Sequence, residues 1–216
     1  MSVKLQLALD FIELEEALRL LEKVHPFAGI IEVGTPSVIR YGVEAVRKIK
    51  QRCPAKEVLA DLKIMDAGEG EARLGFEAGA SIVTVMGVAH DETLLGAVRS
   101  AAKFGGRVMA DLMSVTDLEM RAQELEKLGC DLVCVHTATD AHRSGRHAFE
   151  RVRQLRSKLP GAQIAVAGGI DVHSAAAACE SGADILVVGS GIVKAGDPCE
   201  AARALHDICA RWGGDS

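Results

Sequence analysis

The chain has few aromatic residues: one Trp, one Tyr and five Phe among 216 residues, 3% in all. That scarcity disfavours a base-stacking platform for single-stranded nucleic acid. Positive charge is also short, with 25 Lys and Arg against 30 Asp and Glu and a net charge of −5. The general basic footprint of a nucleic-acid coat is therefore missing, and no nucleic-acid partner is expected. The N-terminal apolar stretch, Leu5–Leu9, falls far short of the roughly 20 residues a membrane span needs, so no membrane association is expected either. The six cysteines, Cys53, Cys130, Cys134, Cys179, Cys199 and Cys209, form no CxxC pair, and their spacing suggests no zinc site. No secretory signal peptide is recognisable. The expectation is a cytoplasmic protein whose cysteines stay reduced and pack as small hydrophobes.

Proline is scarce at 5 residues and glycine abundant at 22, a balance that suits many tight connections. The chain is 49% hydrophobic and 25% charged, ordinary for a folded domain and too apolar for extended disorder. Its length predicts a single domain over residues 1–216.

Three segments repeat one pattern: Glu77-Ala-Gly-Ala-Ser-Ile-Val-Thr-Val85, Lys127-Leu-Gly-Cys-Asp-Leu-Val-Cys-Val135 and Glu180-Ser-Gly-Ala-Asp-Ile-Leu-Val-Val188. In each, a helical pattern ends at a glycine suited to a left-handed C-terminal cap, and a buried-looking strand follows. Gly79, Gly129 and Gly182 recur roughly every 50 residues, a period that fits two strand–helix units. Eight strands are predicted: Lys4–Asp10, Gly29–Gly34, Val58–Ile64, Ser81–Met86, Arg107–Leu112, Asp131–His136, Gln163–Gly168 and Asp184–Gly189. They are rich in Val, Ile and Leu with little alternation, as in parallel strands buried on both faces. Leu94, Val98 and Ala101, and Leu118, Ala122, Leu125 and Leu128, keep helical spacing between them. A last helix is predicted to open at Asp197-Pro198, with Asp capping and Pro in the first turn. Eight alternating units predict an α/β fold, a compact (β/α)8 TIM barrel. A doubly wound open sheet, the competing architecture, normally has fewer strands and a clear switch point.

In such a barrel the reacting groups come from the C-terminal strand ends. Here those ends are polar: Asp10, Glu32, Asp61, Lys63, Asp111 and His136 fall on strands one, two, three, five and six. A charge in an apolar strand is costly unless paired or functional. Strand period two puts Asp61 and Lys63 on one face, with Asp66 on the following loop. A lysine between carboxylates stays charged, so Lys63 suits anion stabilisation or proton donation better than Schiff-base chemistry. Glu32 and Asp61, on adjacent strands, suit Mg²⁺; the metal-free alternative has Glu32 paired with Lys63. No HxH or HExxH pair points to a zinc hydrolase. Two glycine turns, Ala167-Gly168-Gly169 and Gly189-Ser190-Gly191, follow strands seven and eight, with a helix N-terminus expected beside each. That pair of loops is a frequent phosphate site in this fold, which points to a phosphorylated small molecule. The polar stretch Thr137–His147, carrying His142, Arg143 and Arg146, reads either as a mobile lid or as a solvated loop. His25, His90, His173 and His206 read as loop or helix-surface residues.

Five segments, Leu5-Gln-Leu-Ala-Leu-Asp10, Ile31-Glu-Val-Gly-Thr-Pro36, Val58-Leu-Ala-Asp-Leu-Lys-Ile-Met-Asp-Ala-Gly68, Val133-Cys-Val-His-Thr137 and Ala165-Val-Ala-Gly-Gly-Ile170, closely resemble the 3-hexulose-6-phosphate synthase family, a branch of the orotidine 5′-monophosphate decarboxylase suprafamily. The similarity runs from Leu5 to about Val193. The DxKxxD element marks the suprafamily, and the flanks in LADLKIMDAG are more specific. The decarboxylases of orotidine monophosphate carry a lysine on strand two, where this chain has Glu32. The 3-keto-L-gulonate-6-phosphate decarboxylases share the glutamate and magnesium. They typically place a glutamate on strand five and an arginine three residues after the strand-six histidine; here these are Asp111 and Thr139. Both departures favour the synthase.

The resemblance implies that Glu32 and Asp61 bind Mg²⁺, with Mn²⁺ a possible substitute. It implies that Lys63 and Asp66 act at substrate oxygens, Asp66 in the neighbouring subunit's site of a homodimer. Asp10 would orient Lys63 or a substrate hydroxyl, Asp111 and His136 would handle the proton, and Gly168, Gly169, Gly189 and Ser190 would hold phosphate. Ser190 stands where the family's decarboxylases often have an arginine, so phosphate would depend more on backbone amides. Ala67, Gly68 and Gly70 after Asp66 would permit close approach between subunits. The implied reaction is aldol addition of formaldehyde to D-ribulose 5-phosphate, giving D-arabino-hex-3-ulose 6-phosphate, and its reverse. Alternatives from other classes are a sugar-phosphate isomerase or epimerase and a non-catalytic sugar-phosphate binder on the same barrel.

Overall fold

The computed structural model describes residues 2–130, 132–138, 140 and 145–212. Eight strands, β1 (Lys4–Leu9), β2 (Ile30–Val33), β3 (Glu57–Ile64), β4 (Ile82–Met86), β5 (Arg107–Asp111), β6 (Leu132–His136), β7 (Gln163–Ala167) and β8 (Ile185–Val188), form a closed barrel in chain order. Every pairing is parallel, and β1 closes the barrel against β8 through Lys4–Ile185 to Leu7–Val188. This is the (β/α)8 barrel expected. Each strand matches its predicted span to within one residue at either end, with Asp131 lying outside the described residues.

Alternate strand residues serve two layers. Ala8, Ile30, Leu59, Ile82, Met109, Leu132, Cys134, Ala165, Ala167, Ile185 and Val187 fill the barrel interior. Leu5, Leu7, Leu9, Ile31, Val33 and Val58 face out against the helices. With both faces covered, the strands read as continuous apolar runs. Small side chains at Ala8 and Ala167 leave room for a cavity, which both of them line.

The helices are α1 (Leu14–Val24), α2 (Thr35–Tyr41), α3 (Glu44–Arg52), α4 (Gly68–Glu77), α5 (Asp91–Phe104), α6 (Leu118–Lys127), α7 (Gly145–Lys158), α8 (Ala175–Glu180), α9 (Ser190–Val193) and α10 (Pro198–Arg211), with a 3₁₀ turn at His25–Phe27. Gly79, Gly129 and Gly182 follow the ends of α4, α6 and α8 with φ of 100°, 92° and 93°, the left-handed geometry their repeat predicted. Asp197 caps α10 by accepting the Cys199 and Glu200 amides. Leu94 and Ala101 on α5, and Leu118, Ala122 and Leu125 on α6, are buried on the predicted faces. No helix among the described residues is long and apolar enough to cross a membrane.

Two expectations change. The polar stretch after β6 is shorter than predicted, because α7 already begins at Gly145 and His147 sits in its first turn; positions 139 and 141–144, including His142 and Arg143, lie outside the described residues. Gly68 serves its own chain. A Cβ there would collide with the Thr93 carbonyl oxygen, so it permits α4 to pack on α5 and is not available for contact with a second subunit, whereas Gly70 faces open space.

Candidate active site

A cavity of about 410 Å³ opens at the C-terminal end of the barrel. Asp10, Glu32, Asp61, Lys63, Asp111, His136, Gly168, Gly169, Gly189 and Ser190 all line it. Of the predicted site residues only Asp66 is absent from this wall. Asp66 is exposed on the loop after β3, and its Oδ1 accepts the Ala67 amide at 2.7 Å.

The motif after β2 shows why its residues stand together. Glu32 points into the cavity. A Cβ on Gly34 would collide with Asp10 Oδ1, so only glycine leaves that carboxylate its place just beyond β1. Thr35 Oγ1 lies 2.7 Å from Asp61 Oδ2 and 2.9 Å from the Asp61 carbonyl oxygen. Pro36 stands in the first turn of α2, where it needs no amide donor.

Asp61 is only 5% exposed. It accepts from Thr35, from Thr84 Oγ1 at 2.7 Å to Oδ1, and from Lys63 Nζ at 2.9 Å to Oδ2. Lys63 reaches it by a different route from the regular alternation predicted. The β3–β4 register shifts between Ala60 and Ile64, and Lys63 takes φ of 46°. Its amide donates to Thr84 Oγ1 at 2.9 Å. A left-handed non-glycine residue is strained; here the bulge turns the ammonium toward two carboxylates at once. Lys63 Nζ is 3.2 Å from Asp111 Oδ2. Burial works against its charge, but Asp61 and Asp111 outweigh burial and raise its pKa above the ordinary lysine value.

Asp111 Oδ2 is also 2.7 Å from His136 Nδ1, and Asp111 Oδ1 accepts the Met113 amide at 2.9 Å. Burial disfavours the Asp111 anion, yet the His136 hydrogen bond and the nearby positive charge hold its pKa below the usual value. An ionised Asp111 requires the proton of the neutral imidazole on Nδ1, leaving Nε2 as the basic nitrogen.

Glu32 has no contact with Lys63 of the kind the metal-free alternative required. It is 7% exposed, and its Oε2 accepts from Gln6 Nε2 at 2.7 Å. Burial and the negative charge of Asp61 push its pKa up to about 8. Burial and Asp61 likewise raise Asp10. Five carboxylates, those of Asp10, Glu32, Asp61, Asp111 and Asp140, thus share one cavity with one ammonium. Among the described residues no three His, Cys, Asp or Glu groups converge as a metal cluster. Two carboxylates with an excess of negative charge nevertheless fit Mg²⁺, which takes one or two carboxylates and fills its octahedron with water and substrate oxygens.

At the glycine turns, Gly168 and Gly169 have φ of 110° and 68°. A Cβ on Gly168 would come within 2.6 Å of the Thr137 carbonyl oxygen, while one on Gly169 would meet nothing within 4 Å. The expected helix N-terminus adjoins only the second turn, where α9 opens at Ser190. After β7 an Asp171–Ser174 turn intervenes, and α8 begins only at Ala175.

Composition and motif spacing gave no site role to Gln6, Thr35, Thr84 or Asp140 and read Cys134 only as packing, and all five line the cavity. Cys134 is buried with the other interior cysteines, and burial keeps its thiol protonated by raising its pKa well above the ordinary value. The four histidines read as surface residues have no place in the cavity wall.

Comparison with known proteins follows the same lines. The family model "Orotidine 5'-phosphate decarboxylase / HUMPS family" matches residues 3–205. A 3-hexulose-6-phosphate synthase of Bacillus subtilis (strain 168) is 40% identical over 206 residues, covering 95% of this chain and 98% of its own. The crystal structure of 3-hexulose-6-phosphate synthase from Salmonella typhimurium superposes with a TM-score of 0.91 at 42% identity, covering 97% and 99% of the two chains. KGPDC from Streptococcus mutans superposes nearly as well, with a TM-score of 0.88 over 99% and 100% of the chains, but at 26% identity. Backbone shape is common to both groups; sequence identity separates them. The chain belongs to the orotidine 5′-phosphate decarboxylase / HUMPS family, and its enzyme class is that of the 3-hexulose-6-phosphate synthases.

Proposed function

We propose that the enzyme joins formaldehyde to D-ribulose 5-phosphate to give D-arabino-hex-3-ulose 6-phosphate, and catalyses the reverse cleavage, with Mg²⁺ held by Glu32 and Asp61. The observation that carries this reading is the shared oxygen of Asp111, which accepts from His136 and Lys63 together in a cavity also walled by Glu32 and both glycine turns. A bound cation supplies positive charge that stabilises the oxyanion developing on the sugar. The residues of the chain do the rest. His136 Nε2 removes a proton from C1 of ribulose 5-phosphate, and the electron pair becomes the C1–C2 enediolate. Lys63 places a fixed positive charge against that anion. C1 then attacks the formaldehyde carbon, and the carbonyl π pair moves to oxygen. The proton held on His136 neutralises that oxygen, leaving the histidine ready for another turnover.

Formaldehyde offers almost no surface to bind, so affinity must come from the sugar phosphate. Gly168, Gly169, Gly189 and Ser190 are proposed as its phosphate cradle; the open space over Gly169 supports that role. Asp111 in place of the decarboxylases' glutamate supports the synthase over 3-keto-L-gulonate 6-phosphate decarboxylation; Thr139 lies outside the described residues.

The active unit is proposed to be a homodimer in which Asp66 serves the partner's cavity. Its support is that Asp66 does not line its own cavity and that neighbouring Met65 is 51% exposed, an apolar group a second copy would cover. The chemistry is tested by incubating the enzyme with ribulose 5-phosphate in D₂O without formaldehyde. C1 should exchange its proton while the sugar is otherwise recovered unchanged. Conversion to an isomeric pentose phosphate as the main outcome would point instead to an isomerase or epimerase.

A further inference from the structure

The reaction scheme leaves Gln6 without a task, yet its place in the barrel is unusual. It lies in the middle of β1 and is 1% exposed. Its strand partners are Ile30 on β2 and Val187 on β8, whereas Glu32 pairs with Ala8. Gln6 therefore stands one inward-facing step below Glu32 on the adjacent strand, where the cavity floor meets the apolar interior of Ala8, Ile30 and Leu59.

Its amide is half satisfied. Nε2 donates to Glu32 Oε2 at 2.7 Å, while Oε1 is buried without a partner. With Glu32 ionised, as cation binding requires, turning the amide would set an acceptor against a carboxylate oxygen, so the orientation follows from that state of Glu32. A methionine or leucine would fill the same space with no orphaned acceptor, and packing alone gives no reason for glutamine. The donated hydrogen bond engages one Glu32 oxygen, and Glu32 and Asp61 both line the cavity.

We propose that Gln6 is a positioning residue for the divalent-cation site: its donated hydrogen bond holds one Glu32 oxygen and so sets the orientation in which Glu32 offers the other to the cation. This rests on the reading that Glu32 and Asp61 hold a cation. Groups that orient a metal's ligands contribute about 10–100-fold to affinity.

The test measures Mn²⁺ binding, by the loss of its free-ion EPR signal, to the metal-stripped full chain. Wild type, Gln6→Met, Glu32→Gln and the double variant are compared, with melting temperatures recorded for each. Gln6→Met should melt near wild type and bind Mn²⁺ about 10–100-fold more weakly. The double variant should bind no more weakly than Glu32→Gln, because Gln6 acts through Glu32. Should Gln6→Met not fold, Gln6→Asn keeps the amide but falls one methylene short, and the same weakening is expected. A folded Gln6 variant with wild-type affinity, or losses that add in full in the double variant, would overturn the proposal. No Mn²⁺ binding by wild type would instead overturn the cation site, and this inference with it.

Discussion

His136 Nδ1 lies 2.7 Å from Asp111 Oδ2, and Lys63 Nζ approaches that same oxygen at 3.2 Å. One carboxylate thereby sets the tautomer of the histidine and anchors the lysine. Asp111→Asn keeps the shape but offers an amide nitrogen or a neutral oxygen, so the imidazole loses its fixed tautomer. Turnover should fall about 10²–10⁴-fold with folding intact. Steady-state kinetics and circular dichroism together check this; an active Asp111→Asn enzyme would remove the histidine from the proton step.

Gly34 tests the position of Asp10 without touching its chemistry. A methyl group there would displace the Asp10 carboxylate. Gly34→Ala should lower kcat by about 100-fold, the usual scale for a misplacement near 1 Å, while the barrel still forms. Wild-type kcat in this variant would show that Asp10 has no precise placement to lose.

The pH dependence of stability follows from Glu32. Its pKa in the folded, metal-free chain is pushed up to about 8 from the ordinary 4.5. Between those values the folded state holds a proton that the unfolded state has released, so this group makes stability fall as pH rises from about 4.5 toward 8. Glu32→Gln removes that slope and should raise the melting temperature of the stripped protein at pH 8 more than at pH 5. Cation binding at pH 7 should release a proton in wild type, measured calorimetrically in buffers of different ionisation enthalpy, and release less in Glu32→Gln.

Lys63→Ala and Asp66→Ala variants should each be inactive, and mixing them should restore activity. A mixed dimer holds one cavity with both residues native. Random pairing at equal concentrations gives up to about a quarter of wild-type activity if the sites act independently. Demonstrated subunit exchange with no recovery would return Asp66 to its own subunit.

The barrel was legible because its strands are short, apolar and separated by glycine-capped helices. The repeat at Gly79, Gly129 and Gly182 alone carried the spacing of three units. The charged members of the cavity on or beside the strands were legible because charge in an apolar strand needs a reason, whereas Asp140, beyond β6, carries no such signal. What sequence did not disclose depends on tertiary contacts. Thr35 and Thr84 are ordinary residues until Asp61 is found between them. Gln6 reads as one polar residue in an apolar strand until its amide meets Glu32. The left-handed turn at Lys63 has no local signal, since the bulge arises from pairing with β4. The turn between β7 and α8 was hidden because Gly168-Gly169 reads as a direct connection, while Ser174 and the Asp171 carboxylate hold an extra turn closed.

Formaldehyde consumption tests the proposed chemistry most directly. Purified enzyme should consume formaldehyde only when ribulose 5-phosphate and Mg²⁺ are both present, lose that activity to a chelator, and regain it when Mg²⁺ is restored. In a parallel assay it should release carbon dioxide from 3-keto-L-gulonate 6-phosphate as a side activity at most. Dominant carbon dioxide release, or formaldehyde consumption undiminished in metal-stripped enzyme, would contradict it.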